Sequence, residues 1–338
     1  MINIKRSPLN PIIRPGTHPW RQVASFNPGV ICENGHFFLY ERAAASLRPL
    51  TCSVGLWESL DGESFSLKVD HPILTPADLK LPNGTIEDPR VVKIDQHYYM
   101  TFAYRPYTFN CFPTGYRIPD YTALVGTIDG PENNTMSGIA VSDDLVHFTY
   151  VSTINPSQHC DDRDVILFPG KIKGRFAILE RPKDFVDKKS GLDKPSIWIA
   201  YSDDLKSWTK PTLIATPRYA WEGSKIGAGA PPIKTEMGWL LIYHAVDDAD
   251  TYRVGAMLLD LENPSKVLYR TKTFLMEPTE YYEKYGLIIP NVIFPTGAVI
   301  HNGLLHIYYG CCDTAIGLAT VPIKELLNYL IKEGEHFE

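Results

Sequence analysis

Excess charge of either sign is missing from this chain: 33 Lys+Arg stand against 39 Asp+Glu, a formal net charge of −6 over 338 residues. With no basic run, that balance argues against a protein that tracks a nucleic-acid backbone. No apolar stretch approaches the length of a membrane span. The opening segment, MINIKRSPLNPIIRPG, has no apolar core of the secretory kind. The six cysteines (Cys32, Cys52, Cys111, Cys160, Cys311, Cys312) form no CxxC and no metal spacing. Adjacent Cys311 and Cys312 read as small core residues of a strand. A reduced, cytoplasmic protein is therefore expected, with a periplasmic one open if a leader has been trimmed. The ten histidines show no metal spacing, and no Gly-rich phosphate loop follows a strand. No metal or cofactor is expected.

What is present is aromatic residues (12 %, with 19 Tyr), 27 Pro and 24 Gly, a mixture that suits many short strands joined by turns. One strand pattern recurs as GHFFLYER, QHYYMTFAYR, GRFAILERP, GWLLIYHAV and GLLHIYYGCCD, starting at Gly35, Gln96, Gly174, Gly238 and Gly303. The intervals are 61, 78, 64 and 65 residues; the long one holds an insertion at about 106–134, rich in Pro, Gly and Tyr. Behind each comes another apolar strand, often with a Ser-Asp turn and an aromatic, as in SGIAVSDDLVHF (137–148) and SIWIAYSDDLKSW (196–208). Asp143 and Asp203 in those turns read as structural. A repeat of 60–65 residues with about four strands is a propeller blade. Five such units predict an all-β chain, a five-bladed β-propeller forming one domain over 1–338. A pair of β-sandwiches would not produce five matching registers. One helix, about 321–333, places Ile323, Leu326, Leu327 and Leu330 on one face and is expected as a C-terminal clasp.

Inner strands of a propeller line its axis, so equivalent positions meet at one end. There the apolar pattern breaks. First strands open with Asn27, then Glu87, Asp88 and Arg90, then Asp162, Arg163 and Asp164, then Lys225, then Thr296; second strands close with Arg42, Arg105, Arg181, His244 and Asp313. Arg163, Arg181, Lys225 and His244 make a cation-capable group suited to phosphate or carboxylate. Glu87, Asp88 and Asp313 are acids beside it, suited to proton donation. The combination describes transfer of a group to or from phosphate. Glu180 and Glu222 are further carboxylates, open to catalysis or to pairing with an Arg.

These segments resemble glycoside hydrolase family 130, the β-mannoside phosphorylases and mannosidases. The resemblance runs from FNPGV through GTIEDPR, DVILFPGKIKGRFAILERP, KIGAGAPPIKTEMGWLLIYH and IFPTGAVIHNGLLHIYYGCCDTAIGLA. It implies a five-bladed propeller. It also implies Asp88 as the acid that protonates the glycosidic oxygen through the mannose 3-hydroxyl, while phosphate attacks with inversion to give α-mannose 1-phosphate. Arg163, Arg181, Lys225 and His244 match phosphate ligands, Asp313 an aspartate of the same site, and Asn27 and Arg42 sugar-side positions. Glu87 and Arg90 flank the acid and are expected at the substrate. Two motifs depart from the family's pattern: F-P-E-K reads Phe168-Pro169-Gly170-Lys171, and Y-H-G reads Tyr243-His244-Ala245.

The expected reaction is inverting phosphorolysis of a β-mannoside, with inorganic phosphate as co-substrate. The alternative is an inverting β-1,2-mannosidase. Hydrolytic members of the family lack part of the phosphate cluster and use a carboxylate base, for which Glu222 is the candidate, an inverting hydrolase needing two carboxyls with water between them. A non-catalytic glycan-binding propeller is the reading of another class. A furanosidase is disfavoured by Asn27, where such enzymes typically carry Asp. The expected partner is a small mannoside or mannose-containing oligosaccharide, with no nucleic acid and no membrane; a homo-oligomer stays open. The 106–134 insertion is expected as a lid, and with residues 183–195 to shape the acceptor end.

Overall fold

The structure, a computed structural model, describes residues 2–111, 117–119, 133–154, 156, 161–183, 185 and 192–337, without side chains at 109–111 and 117–119. Most of the 106–134 insertion, much of 183–195, and Cys160 lie outside the described residues. Among the described residues no helix is long and apolar enough to cross a membrane.

Five antiparallel sheets follow one another along the chain. Blade 1 comprises Ala24–Glu33, His36–Leu47, Leu50–Ser59 and Ser66–Leu67; blade 2 comprises Thr85–Ile94, His97–Arg105, Met136–Ser142 and Thr149–Ile154. Blade 3 comprises Asp162–Leu167, Phe176–Pro182, Ile197–Ser202 and Thr212–Ala215. Blade 4 is built from Lys225–Ala228, Gly238–Val246, Tyr252–Leu259 and Val267–Arg270, with Ile233–Thr235 and Glu335–His336 added. Blade 5 comprises Ile293–His301, Leu304–Cys311 and Ala315–Pro322, and its outer strand is Lys5–Arg6 from the other end of the chain.

The turns explain why the repeats fold alike. Three first hairpins reverse on a polar residue and a glycine, both at positive φ: Asn34-Gly35, Lys173-Gly174 and Asn302-Gly303. That geometry matches the right-handed strand twist. The Ser-Asp turns are held by the second aspartate of each pair. Asp144 accepts from the backbone N–H groups of Val146 and His147, and Asp204 from those of Lys206 and Ser207. The expectation for Asp143 and Asp203 moves by one residue: both are surface groups, paired with His97 and Arg175.

Closure into a ring is visible in the core. One apolar cluster fills each seam between neighbouring blades: Tyr40 and Phe102 between 1 and 2, Val92 and Ile178 between 2 and 3, Leu179 and Leu241 between 3 and 4, Ile242 and Ile307 between 4 and 5, and Tyr308 and Leu39 between 5 and 1. Side chains alternate between the two faces of each strand, so every blade serves two seams. The helix runs Ile323–Glu333, two residues later than its apolar period suggests, because Val321 and Pro322 still belong to the preceding strand. It seats Leu326 and Leu330 in the seam between blades 4 and 5. Cys311 ends its strand, while Cys312 lies in the following turn at φ 47°; both are buried.

Candidate active site

The inner strands of blades 1, 2 and 3 share a defect. Their register slips between Phe26 and Gly29, between Glu87 and Arg90, and between Arg163 and Ile166. Within each slip sits one Asn or Asp at positive φ: Asn27 (44°), Asp88 (53°) and Asp164 (56°). Among residues with a Cβ, Asn and Asp tolerate this region best. A bulge re-aims its side chain, and here three blades turn a polar group toward the axis.

The result is a cleft lined from all five blades. Nine of the eleven expected residues line it: Asn27, Arg42, Glu87, Asp88, Arg163, Arg181, Lys225, His244 and Asp313. Arg90 and Glu222 do not. Asp164, Tyr252, Ile289, Val292 and Phe294 complete the wall.

On the blade 1 and 2 side, Asp88 Oδ1 accepts from Asn27 Nδ2 at 2.8 Å and from Arg42 Nη1 at 3.0 Å. Arg42 also pairs with Glu87 at 3.1 Å and lies 4.5 Å from the Phe26 ring centre. Arg90 holds this wall from behind. Its Nε donates to the Gly229 carbonyl at 2.8 Å, its Nη1 to the Asp88 carbonyl at 3.1 Å, and its Nη2 reaches Asp164 at 3.4 Å. The expectation of a substrate contact at Arg90 is thus replaced by a positioning role: its side chain is 1 % exposed and turned into the frame.

The opposite side carries Arg163, Arg181, Lys225 and His244. Asp164, passed over as a site residue, is their internal counter-ion. It accepts from Arg181 Nε at 2.6 Å and lies 3.5 Å from His244 Nε2. Burial opposes its charge, yet Arg181, His244 and Arg90 together hold the carboxyl well below its usual range. Arg163 pairs with Asp161 at 2.9 Å. Burial pushes the His244 imidazole down to about 3 against the pull of Asp164, so it is neutral at neutral pH. The group is three cations and a neutral N–H donor, not four cations. Lys225 lies 5.2 Å from the Tyr252 ring centre, and His244 packs edge-on against Phe294 with centroids 4.6 Å apart.

Two glycines permit these contacts. A Cβ at Gly227 would collide with Asp164 Oδ2 and the His244 ring, and one at Gly310 would fall on Asn27 Oδ1.

Glu222 belongs to a lock elsewhere. It is fully buried. It accepts from Tyr243 Oη at 2.6 Å, from Arg270 Nη2 at 2.7 Å, and from the backbone of Arg218 and Tyr219. Blade 5 repeats the device: Glu283 accepts from Tyr309 Oη, from Arg6, and from the backbone of Thr279 and Glu280. A carboxylate duplicated with the same partners in the next blade is holding a connection to its sheet. The expected hydrolytic base is therefore outside the cleft. Glu180 and Asp162 are likewise buried beside the site strands of blade 3. Burial pushes both carboxyls up, and the charge of Asp162 raises Glu180 further.

Phe168-Pro169-Gly170-Lys171 follows the far end of its inner strand, whereas Arg163 and Asp164 lie at the start. That departure from the family pattern therefore sits at the other mouth of the axis, beside Pro231 and Pro232.

Asp164 did carry a sequence signal: it opens its inner strand just before the apolar run, as Asn27 and Asp88 open theirs. Ile289 and Val292 carried none, because they lie on a connection without periodicity.

Residues 7–332 match a family model described as beta-1,4-mannooligosaccharide phosphorylase. The chain is 36 % identical to a 1,2-beta-oligomannan phosphorylase from Thermoanaerobacter sp. (strain X514), over 96 % of this chain and 99 % of that protein. It is 35 % identical to a beta-1,2-mannobiose phosphorylase of the same strain, over 97 % and 100 %. The beta-1,2-mannobiose phosphorylase from Listeria innocua, solved with beta-1,2-mannobiose, superposes with a TM-score of 0.76 at 27 % identity, covering 98 % of this chain and 99 % of that one.

Proposed function

The chain belongs to glycoside hydrolase family 130, and on that premise we propose that it is an inverting β-mannoside phosphorylase with a preference for β-1,2 linkages. Membership makes it an enzyme, a glycoside phosphorylase or hydrolase acting on β-mannosides. The observation that carries the choice is the pairing, in one cleft, of a bulge-mounted Asp88 with Arg163, Arg181, Lys225 and His244.

Phosphate lies among those four. The ion pairs with Asp161 and Asp164 engage the Nε atoms of Arg163 and Arg181 and fix the direction of each guanidinium before the anion arrives, so little is reorganised during reaction. His244 adds a hydrogen-bond donor without adding repulsion. Asn27, Arg42, Glu87 and Asp313 hold the mannosyl unit. Asp88 delivers a proton through the mannose 3-hydroxyl to the glycosidic oxygen. A phosphate oxygen bonds to the anomeric carbon from the opposite face as the C1–O bond breaks, and its electron pair leaves with the newly protonated acceptor. The products are α-mannose 1-phosphate and a shortened sugar. No organic cofactor takes part; phosphate is co-substrate. The β-1,2 preference is supported by three relatives of 30–36 % identity aligned over 96 % or more of this chain, all named for that linkage.

Water is the poorer nucleophile here because it needs a base. Asp164, beside the cations, is held in its ionised form by Arg181, which leaves it little appetite for a proton.

The test is to incubate β-1,2- and β-1,4-mannobiose with and without inorganic phosphate and follow products by phosphorus and anomeric proton NMR. Phosphate-dependent α-mannose 1-phosphate is expected; free mannose formed equally in both tubes sinks the proposal. Asp88→Asn keeps a residue suited to φ 53° and is expected to lower kcat by about 10²–10⁴-fold with the unfolding midpoint preserved.

A further inference from the structure

We propose that Tyr281 and Tyr285 form a sugar-stacking platform outside the cleft, receiving the distal units of a mannooligosaccharide whose scissile bond lies over Asp88. This rests on the reading of the cleft as a mannoside site. The two rings are 77 % and 62 % exposed, among the most exposed large apolar side chains described. Their centroids lie 5.1 Å apart at 42°.

Their place in the fold puts them on the right face. Each outer strand ends, and each next inner strand begins, at the end of the axis that holds Asp88 and the phosphate ligands. Connections between blades therefore cross that face. Tyr281 and Tyr285 are on the connection from blade 4 to blade 5, on and just after the short helix Tyr281–Lys284.

The segment is braced. Glu283 is fully buried, pairs with Arg6 at 2.7 Å and caps the helix through the N–H groups of Thr279 and Glu280. The chain then runs directly into the cleft wall. Gly286 packs on Cys312, Leu287 N–H donates to Thr314 Oγ1 at 2.8 Å, and Ile289, a cleft-lining residue packed against Val292, Phe294 and Cys312, is four residues beyond Tyr285. Four residues span at most about 14 Å, within reach of a short oligosaccharide.

Two exposed aromatics on a fixed base cost solubility and need a reason. A tyrosine offers an apolar face with a polar tip. A pyranose presents a matching surface, a face of C–H groups rimmed by hydroxyls. The commitment to sugar rather than a second protein copy comes from this continuity with the cleft.

The experiment compares the wild type with Tyr281→Ala/Tyr285→Ala on β-1,2-mannobiose and β-1,2-mannotetraose, taking the ratio of kcat/KM for the tetraose to that for the biose. The ratio is expected to fall about fivefold to tenfold and to be restored by Tyr281→Phe/Tyr285→Phe. Calorimetric titration with the tetraose supplies a readout independent of turnover, and affinity is expected to fall by a similar factor. An unchanged ratio and an unchanged affinity overturn the platform, even if the wild type proves to be a phosphorylase. So does a double variant that changes only its sedimentation from dimer to monomer. Absence of phosphate-dependent cleavage, with a tetraose affinity that still depends on the tyrosines, sinks the phosphorylase reading and leaves the platform standing.

Discussion

Asp162 and Glu180 are buried, chain-adjacent to Arg163 and Arg181, and raised in pKa by that burial. An acid whose folded-state pKa is raised binds more protons folded than unfolded, so stability falls as pH climbs from its unfolded value toward its folded one. For the pair the window opens near 4, the ordinary carboxylate value, passes about 7, where Asp162 titrates, and closes near 10 with Glu180. Glu180→Gln removes the carboxyl that burial and Asp162 hold protonated in the folded state. Urea unfolding of the wild type should therefore lose about 1–2 kcal/mol more between pH 5 and pH 8 than the variant does; parallel curves would refute the pair's role. Individual residues were only partly legible in the sequence. Asp88 and Arg163 announced themselves as charges opening apolar strands, and Arg181 as a charge closing one. Charge at a strand end does not say which way a side chain turns, however, so Glu222 and Arg90 carried the same signal as true lining residues. Burial and partners separated them.

At the scale of strands and turns, the sequence was far more readable. Polar-glycine hairpins and apolar alternation fix blade after blade, because each hairpin needs the same φ signs and the same two buried faces. What the alternation hid was the bulge. Asn27, Asp88 and Asp164 interrupt the register of three inner strands, and a one-residue slip is invisible to a period of two until the partner strand is known. The bulge of blade 1 also depends on its neighbour across the seam with blade 5. Gly310 of blade 5 leaves just the room that Asn27 occupies, and Asn27 in turn holds Asp88. Gly310→Ala should displace Asn27 and lower kcat by about 10- to 100-fold. KM for phosphate should change less, since the phosphate ligands sit on blades 3 and 4. Steady-state kinetics in both substrates checks this split; a matched rise in phosphate KM with kcat intact goes against it.

For the whole molecule, the repeat count predicted the ring, but not how it closes. The helix was the expected clasp, and it does fill the seam between blades 4 and 5. The closure itself is a strand: Lys5 and Arg6 pair with Thr320 and Ala319 to finish blade 5. Two residues carry too little periodicity to be recognised as a strand. Arg6 also pairs with buried Glu283, so removing residues 2–6 leaves a buried carboxylate without its guanidinium, a loss of about 3–5 kcal/mol. Thermal unfolding of that truncation should show one cooperative transition at a lower midpoint; an unchanged midpoint would deny the strand its closing role.

Because Lys5 and Arg6 complete a sheet whose other strands span 293–322, the fifth blade is finished only when two segments some three hundred residues apart have met. The cleft, which draws residues from all five blades, is therefore framed by a contact between distant stretches rather than by any one blade.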